Sequence, residues 1–123
     1  MKRITAHFFR EEAGREPVKD WLLTLASEDR KIVGRDIAII EFGWPIGKPT
    51  CHPIRDGLRE VRSTIKRGKV EARTYFAIEG GDMILLHGHE GKGGQDREIA
   101  LALKRWKNYQ ERKRILVGKA QKS

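Results

Sequence analysis

From Leu58 to His87 the chain alternates apolar and polar residues in three runs, Leu58 to Ile65, Val70 to Glu79 and Asp82 to His87. That is the period of two that a strand with one buried face requires. Gly80 and Gly81 separate the second and third runs, and a two-glycine loop suits a primed hairpin turn, whose positive backbone angles cost glycine nothing. Arg67 and Gly68 close the first hairpin. Upstream, Arg3 to Phe9 also alternate, which predicts a strand that joins the sheet edge. The period then lengthens. Pro17 can occupy a first helical position, and Val18, Trp21, Leu22 and Leu25 share one helical face. Ser27 can cap a second helix with a stripe of Ile32, Val33, Ile37, Ile40 and Trp44, stopped by Gly43 and Pro45. Two helices joined so tightly predict an antiparallel hairpin across the core face of the sheet.

Proline and glycine mark Ile46 to Gly57 as a loop holding His52, Arg55 and Asp56, and Gly88 to Gly94 as a mobile loop bearing His89 and Lys92. Asp96 can cap a final helix with Ile99, Leu103 and Trp106 buried and Lys104, Arg105 and Lys107 outside. The expected fold is therefore α+β, a small antiparallel sheet of about four strands with an N-terminal helical hairpin and a C-terminal helix packed on it. Residues 1–110 form a single domain, and 111–123 a basic, loosely ordered tail.

The two turns set a register that puts Arg62 opposite Arg73 and Glu60 opposite Tyr75. One face then carries Glu60, Arg62, Arg73 and Tyr75, while the core face collects Val61, Ile65, Phe76, Ile78, Leu85 and His87. Arginines directly across a ladder repel at a cost of up to about 1 kcal/mol. Either solvent holds these charges apart or an anion lies between them, and guanidinium forks suit phosphate because their donors are planar and bidentate.

Charge sharpens the second reading. In 123 residues lysine and arginine number 26 against 17 acidic residues, a formal net charge of +9. That balance points to a polyanionic partner, with nucleic acid ahead of anionic membrane or an acidic protein. No segment is apolar enough to span a bilayer and no signal peptide opens the chain, so a cytoplasmic location is expected. Cys51 is the single cysteine, which excludes an internal disulfide and a multi-cysteine zinc site, and four scattered histidines form no metal pattern. The phosphate-loop pattern GxxxxGK[ST] is absent.

The order strand, two helices, three antiparallel strands, helix resembles the RelE/ParE superfamily of bacterial toxins, and more closely its phage-derived HigB-like branch. PVKDWL, GLREVR, the arginine of ARTYF, GGDMILLHG and REIALALKRWKNY carry the resemblance over Ile4 to Tyr109. It implies the toxin of a type II toxin–antitoxin pair, with a helix-turn-helix antitoxin as partner. Many such toxins are endoribonucleases that cut messenger RNA in the ribosomal A site, and others poison DNA gyrase. The chain departs from the family where His89 replaces an aromatic residue and Lys92 alone stands for two adjacent lysines.

Cleavage through the 2′-hydroxyl needs a base, cations on the phosphate and an acid, but no cofactor. Arg62 and Arg73 match family arginines and suit the phosphate, since donors aimed at developing charge are usually the largest catalytic contribution. Glu60 is a candidate base or a bridge to Arg62. His89 is a candidate base or acid, with Lys92 beside it as acid or phosphate clamp. Tyr75 can stack a base, and Arg59, Lys66, Arg67 and Lys69 are candidate RNA contacts. A gyrase inhibitor acting by binding alone, or a non-toxic nucleic-acid binder, are the competing readings.

Overall fold

The computed structural model describes residues 1–92 and 95–122. Its order is β1 (Thr5–Phe8), α1 (Pro17–Thr24), α2 (Ser27–Gly43), β2 (Cys51–Arg55), β3 (Leu58–Ile65), β4 (Val70–Glu79), β5 (Asp82–Glu90) and α3 (Gln95–Lys122). The five strands form one sheet in the order β1-β5-β4-β3-β2. The α+β class holds, and both hairpin registers are as expected: Arg62 pairs with Arg73, Glu60 with Tyr75 and Glu79 with Asp82.

The sheet has one strand more than expected, and it is mixed. Proline and glycine predict a loop over Ile46 to Gly57, yet Cys51–Arg55 within it pairs antiparallel with β3. It is an edge strand, where the missing N–H of proline removes no ladder bond if it points outward. β1 lies parallel to β5, with Thr5 beside Asp82 and Phe8 beside Leu85. The whole chain from α1 to β4 intervenes, so no tight turn dictates their direction.

The helical hairpin packs on the face expected. Val18, Leu25, Val33, Ile37 and Ile40 close over Val61, Ile65, Phe76, Met83 and Leu85 in one apolar cluster. Helix capping differs from expectation. Ala26 is the N-cap of α2 and Ser27 its first residue, with no side-chain cap. Instead Arg30 reaches back to the end of α1, donating from Nε to the Leu22 carbonyl and from Nη2 to the Leu25 carbonyl, both at 3.0 Å. The Leu22 carbonyl also accepts from the Leu25 amide at 3.1 Å, whereas the Leu25 carbonyl lies beyond the last bond of the helix. Asp29 accepts from the Lys66 amide at 3.1 Å, tying α2 to the β3–β4 turn, where Lys66 and Arg67 have φ of 51° and 56°.

The second face belongs to α3. Trp106 and Ala102 close over Phe9, Leu58, Tyr75, Ala77, Ile84 and Leu86. The helix begins at Gln95, so Asp96 lies in its first turn rather than capping it. It also runs to Lys122, where a loose tail was expected from residue 111. Residues 111–117 contain good helix formers and no proline. Lys113 reaches Glu79 at 2.6 Å, and Arg112 lies over the Phe9 ring, so tertiary contacts hold the extension. Among the described residues no helix is long and apolar enough to cross a membrane.

Candidate functional site

Beyond the N-terminal end of α3, the second face of the sheet turns polar. Cross-strand pairing arranges its side chains as a grid. One row reads His52 on β2, Glu60 on β3, Tyr75 on β4 and His87 on β5. The next reads Arg62, Arg73 and His89. Neighbouring strands lie ~4.8 Å apart, so these groups meet within one patch.

At its centre Glu60 is fully buried, and one carboxylate oxygen serves both arginines. Arg62 donates from Nε at 2.6 Å and Arg73 from Nη1 at 3.0 Å. Two cations against one carboxylate leave a positive charge over. The Arg73 side chain is 7% exposed and that of Arg62 38% exposed, so Arg62 presents the charge to solvent. No acceptor among the described residues takes the two Nη nitrogens of Arg62. Glu60 Oε2 and Arg73 Nε are buried and find no partner among the described residues. Charged groups with unused bonding capacity in a closed interior are costly, and call for an explanation beyond packing.

The histidines are not where the alternation put them. The pairing slips between Tyr75 and Phe76, which face His87 and Leu85, so Leu86 is an extra residue in β5. A bulge of one residue exchanges the faces of everything after it. His87, expected on the core face, therefore joins Tyr75, and His89, expected in a mobile loop, lies in β5 on the same side. Gly88 turns to the core face instead, where any Cβ would fall inside the Trp21 ring. Of the loop read from Gly88 to Gly94, residues 88–90 are strand, and Gly93 and Gly94 lie outside the described residues.

Tyr75, His87 and His89 form a triangle of nearly parallel rings, with centroids 5.6 to 6.2 Å apart. The Tyr75 hydroxyl and His89 Nε2 are hydrogen-bonded at 3.1 Å. Burial, aided by the nearby Glu60 charge, pushes the Tyr75 phenol up to about 12, so it stays protonated. His87 is held at both nitrogens. Arg105 donates to Nδ1 at 2.9 Å, which leaves Nε2 to donate to Glu98. Burial lowers the His87 pKa; Glu98 opposes this, while Arg105 and His89 add to it. The imidazole is therefore neutral near pH 7.

Sequence reasoning missed Glu98 and Arg105 as partners of this cluster, because a helical pattern does not say which strand its residues meet. It also missed His52. A loop over Ile46 to Gly57 gives no register, so nothing places that histidine opposite Glu60, where it is partly exposed and without a partner among the described residues. Other expected contacts scatter. Arg59 is on the opposite face, with its guanidinium 5.1 Å from the Trp44 ring centroid. Lys66 is paired with Glu90 at 3.0 Å, and Arg67 and Lys69 are exposed in the same turn. Lys92 is exposed just past β5. No group of metal-ligating residues gathers among the described residues.

A family model described as "Phage derived protein Gp49-like" matches residues 20–107. Among solved structures, the E. coli toxin RelE, as a double arginine-to-alanine mutant in the free state, is similar with a TM-score of 0.57. The match covers 85% of this chain and 98% of that one, at 13% identity, a likeness that speaks to fold alone. No curated protein sequence matches the chain significantly.

Proposed function

The chain belongs to the phage-derived Gp49-like family, and from that and the geometry of the site we propose that it is the toxin of a type II toxin–antitoxin pair. We propose further that it is a ribosome-dependent, metal-independent endoribonuclease acting on messenger RNA. The observation that carries the reading is the grid itself: two arginines around one carboxylate, with imidazoles on the strands to either side.

In this mechanism the free Nη nitrogens of Arg62 take the non-bridging oxygens of the scissile phosphate, and Arg73 adds its charge from beneath. Glu60 is a positioning residue rather than the base, since both guanidinium groups share one of its oxygens and the other is buried. A base removes the 2′-hydroxyl proton and the 2′-oxygen forms a bond to phosphorus. The bond to the 5′-oxygen breaks, and that oxygen takes a proton from an acid. The products are a 2′,3′-cyclic phosphate and a 5′-hydroxyl. His52 suits the base, as a half-exposed imidazole with no partner to compete for its lone pair. His89, backed by Tyr75, suits the acid, with Lys92 as a clamp on the neighbouring phosphate. The antitoxin enters as the partner that the family reading implies.

Primer extension on messenger RNA from briefly induced cells tests this directly, beside Arg62→Ala. The expected result is new in-frame 5′ ends inside coding sequence, reduced by about 10²–10³ in the variant, the usual loss when one preorganised donor is removed. Intact messages in arrested cells overturn the nuclease reading and redirect attention to gyrase.

A further inference from the structure

A second basic feature lies outside the grid. Along the flank of α3 toward the β2–β3 turn runs a groove of about 490 Å³, lined by Arg55, Lys104, Lys107, Trp106 and Gln110 among others. Its two lysines, Lys104 and Lys107, are three residues apart, a spacing that aligns side chains on one helical face. Arg55 reaches the groove from the end of β2, opposite Leu58 and so on the side of the sheet that α3 covers.

Two observations distinguish this groove from an ordinary solvated helix face. None of Arg55, Lys104 and Lys107 has an acidic partner among the described residues, whereas Lys113 further along α3 is paired with Glu79. The indole N–H of Trp106 has no acceptor among the described residues, and Trp106 lines the groove. The lining is thus rich in donors, with Asp56 as its one carboxylate.

We propose that this groove is a phosphate-binding track for the RNA strand flanking the scissile site. The inference rests on the nuclease reading for the identity of the polyanion. The groove and the grid lie on the same side of the sheet. Glu98, at the grid, precedes Lys107 by nine residues, about 14 Å along the helix. Arg97, exposed and without an ion-pair partner among the described residues, lies in the first turn of α3, seven residues before Lys104 and so on the same helical face. A strand with its phosphate on Arg62 continues past Arg97 to Lys104, Lys107 and Arg55, and the indole N–H serves a phosphate or sugar oxygen. The track runs along α3, not over the β3–β4 turn, where Lys66 is already engaged by Glu90.

The test reads binding alone. Full-length Arg62→Ala protein is titrated with a fluorescent single-stranded RNA over a range of salt concentrations, as it stands and with Lys104→Ala plus Lys107→Ala added. Both lysines are exposed, and circular dichroism checks the fold. Each lost phosphate contact should lower the slope of log K against log salt by about 0.7, so the double change should lower it by about 1.4. A matched Lys66→Ala plus Lys69→Ala variant should keep the parent slope. An unchanged slope in the α3 variant overturns the track, as does a loss confined to the turn variant. Weakened binding of a polyglutamate peptide with unchanged RNA binding overturns it too, and marks the groove as a face for an acidic protein. A slope lowered as expected, with messages left intact in cells induced for the wild-type chain, sinks the nuclease reading and leaves the track standing. Cleavage with an unchanged slope does the reverse.

Discussion

The two faces of this sheet are built by opposite rules. On the face under α1 and α2, Val61, Ile65, Phe76, Met83 and Leu85 meet the helices in a dry cluster. The other face divides. α3 seals its lower half with Trp106 and Ala102, while the upper half buries Glu60 completely and Arg73 nearly so. Burial of apolar carbon stabilises wherever it occurs, at roughly 25 cal/mol per Å². Burial of a carboxylate with two guanidinium groups does so only while every partner stays in place. One face can thus vary in detail and still fold, and the other tolerates little.

The largest expected effects test that contrast. Phe76→Ala and Glu60→Ala should each cost about 3–5 kcal/mol in urea unfolding, the first by opening a cavity and the second by stranding Arg73. They should differ in rescue. Replacing Glu60 and Arg73 together by Leu and Met should recover most of the loss, because apolar residues of similar volume often replace a buried pair at no cost. A Glu60→Ala penalty below about 0.5 kcal/mol, the range of surface changes, would mean that the pair is not closed as described.

A smaller effect is expected where the two faces meet along β5. Gly88→Ala drives a methyl group into the Trp21 ring and should cost about 1–3 kcal/mol. Trp21→Leu in the same chain should return part of it. An unperturbed melting temperature in Gly88→Ala would sink the assignment of Gly88 to the core face, and the bulge with it.

The polar face should also betray itself by titration. The Tyr75 phenol is raised from 10.0 to about 12, so the folded state holds its proton longer than the unfolded state. Its stabilisation is complete below pH 10 and disappears as pH rises toward 12. Tyrosinate absorbance should lag in the native protein and appear in full on unfolding; a native rise centred at pH 10 would contradict the burial. His87 is the weakest and opposite case. Its folded pKa is lowered from 6.5, so the unfolded chain binds the proton first. Its contribution is complete above pH 6.5 and is lost as pH falls through the lowered value. Glu98, Arg105 and His89 face the ring, and His87→Asn should flatten that acid-side loss in a pH series of melting temperatures. An equal loss in the variant would assign it to the carboxylates.

Much of this was legible from local signals. Alternation together with the glycines at 80 and 81 sets Arg62 against Arg73 and Glu60 against Tyr75, because a hairpin register follows from its turn and its buried face. The helical stripes of α1 and α2 likewise name the residues that close the first core, and the arginine pair by itself marks the second face as the one with chemistry.

What needed the tertiary structure lies where a local rule has two outcomes of similar energy. Pro53 reads as a loop until an edge position makes its missing N–H harmless. Nothing near Thr5 says whether β1 runs with or against β5, because its partner is reached through space rather than through a turn. The extension of α3 to Lys122 depends on Glu79 and Phe9, which are distant in sequence. Above all, one extra residue at Leu86 turns His87 from the core side to the arginine side, and the continuation of β5 sets His89 beside it. Period-two reasoning carries forward without correction, so a single bulge, fixed by how Tyr75, Trp21 and Glu98 pack around β5, decides which histidines belong to the site.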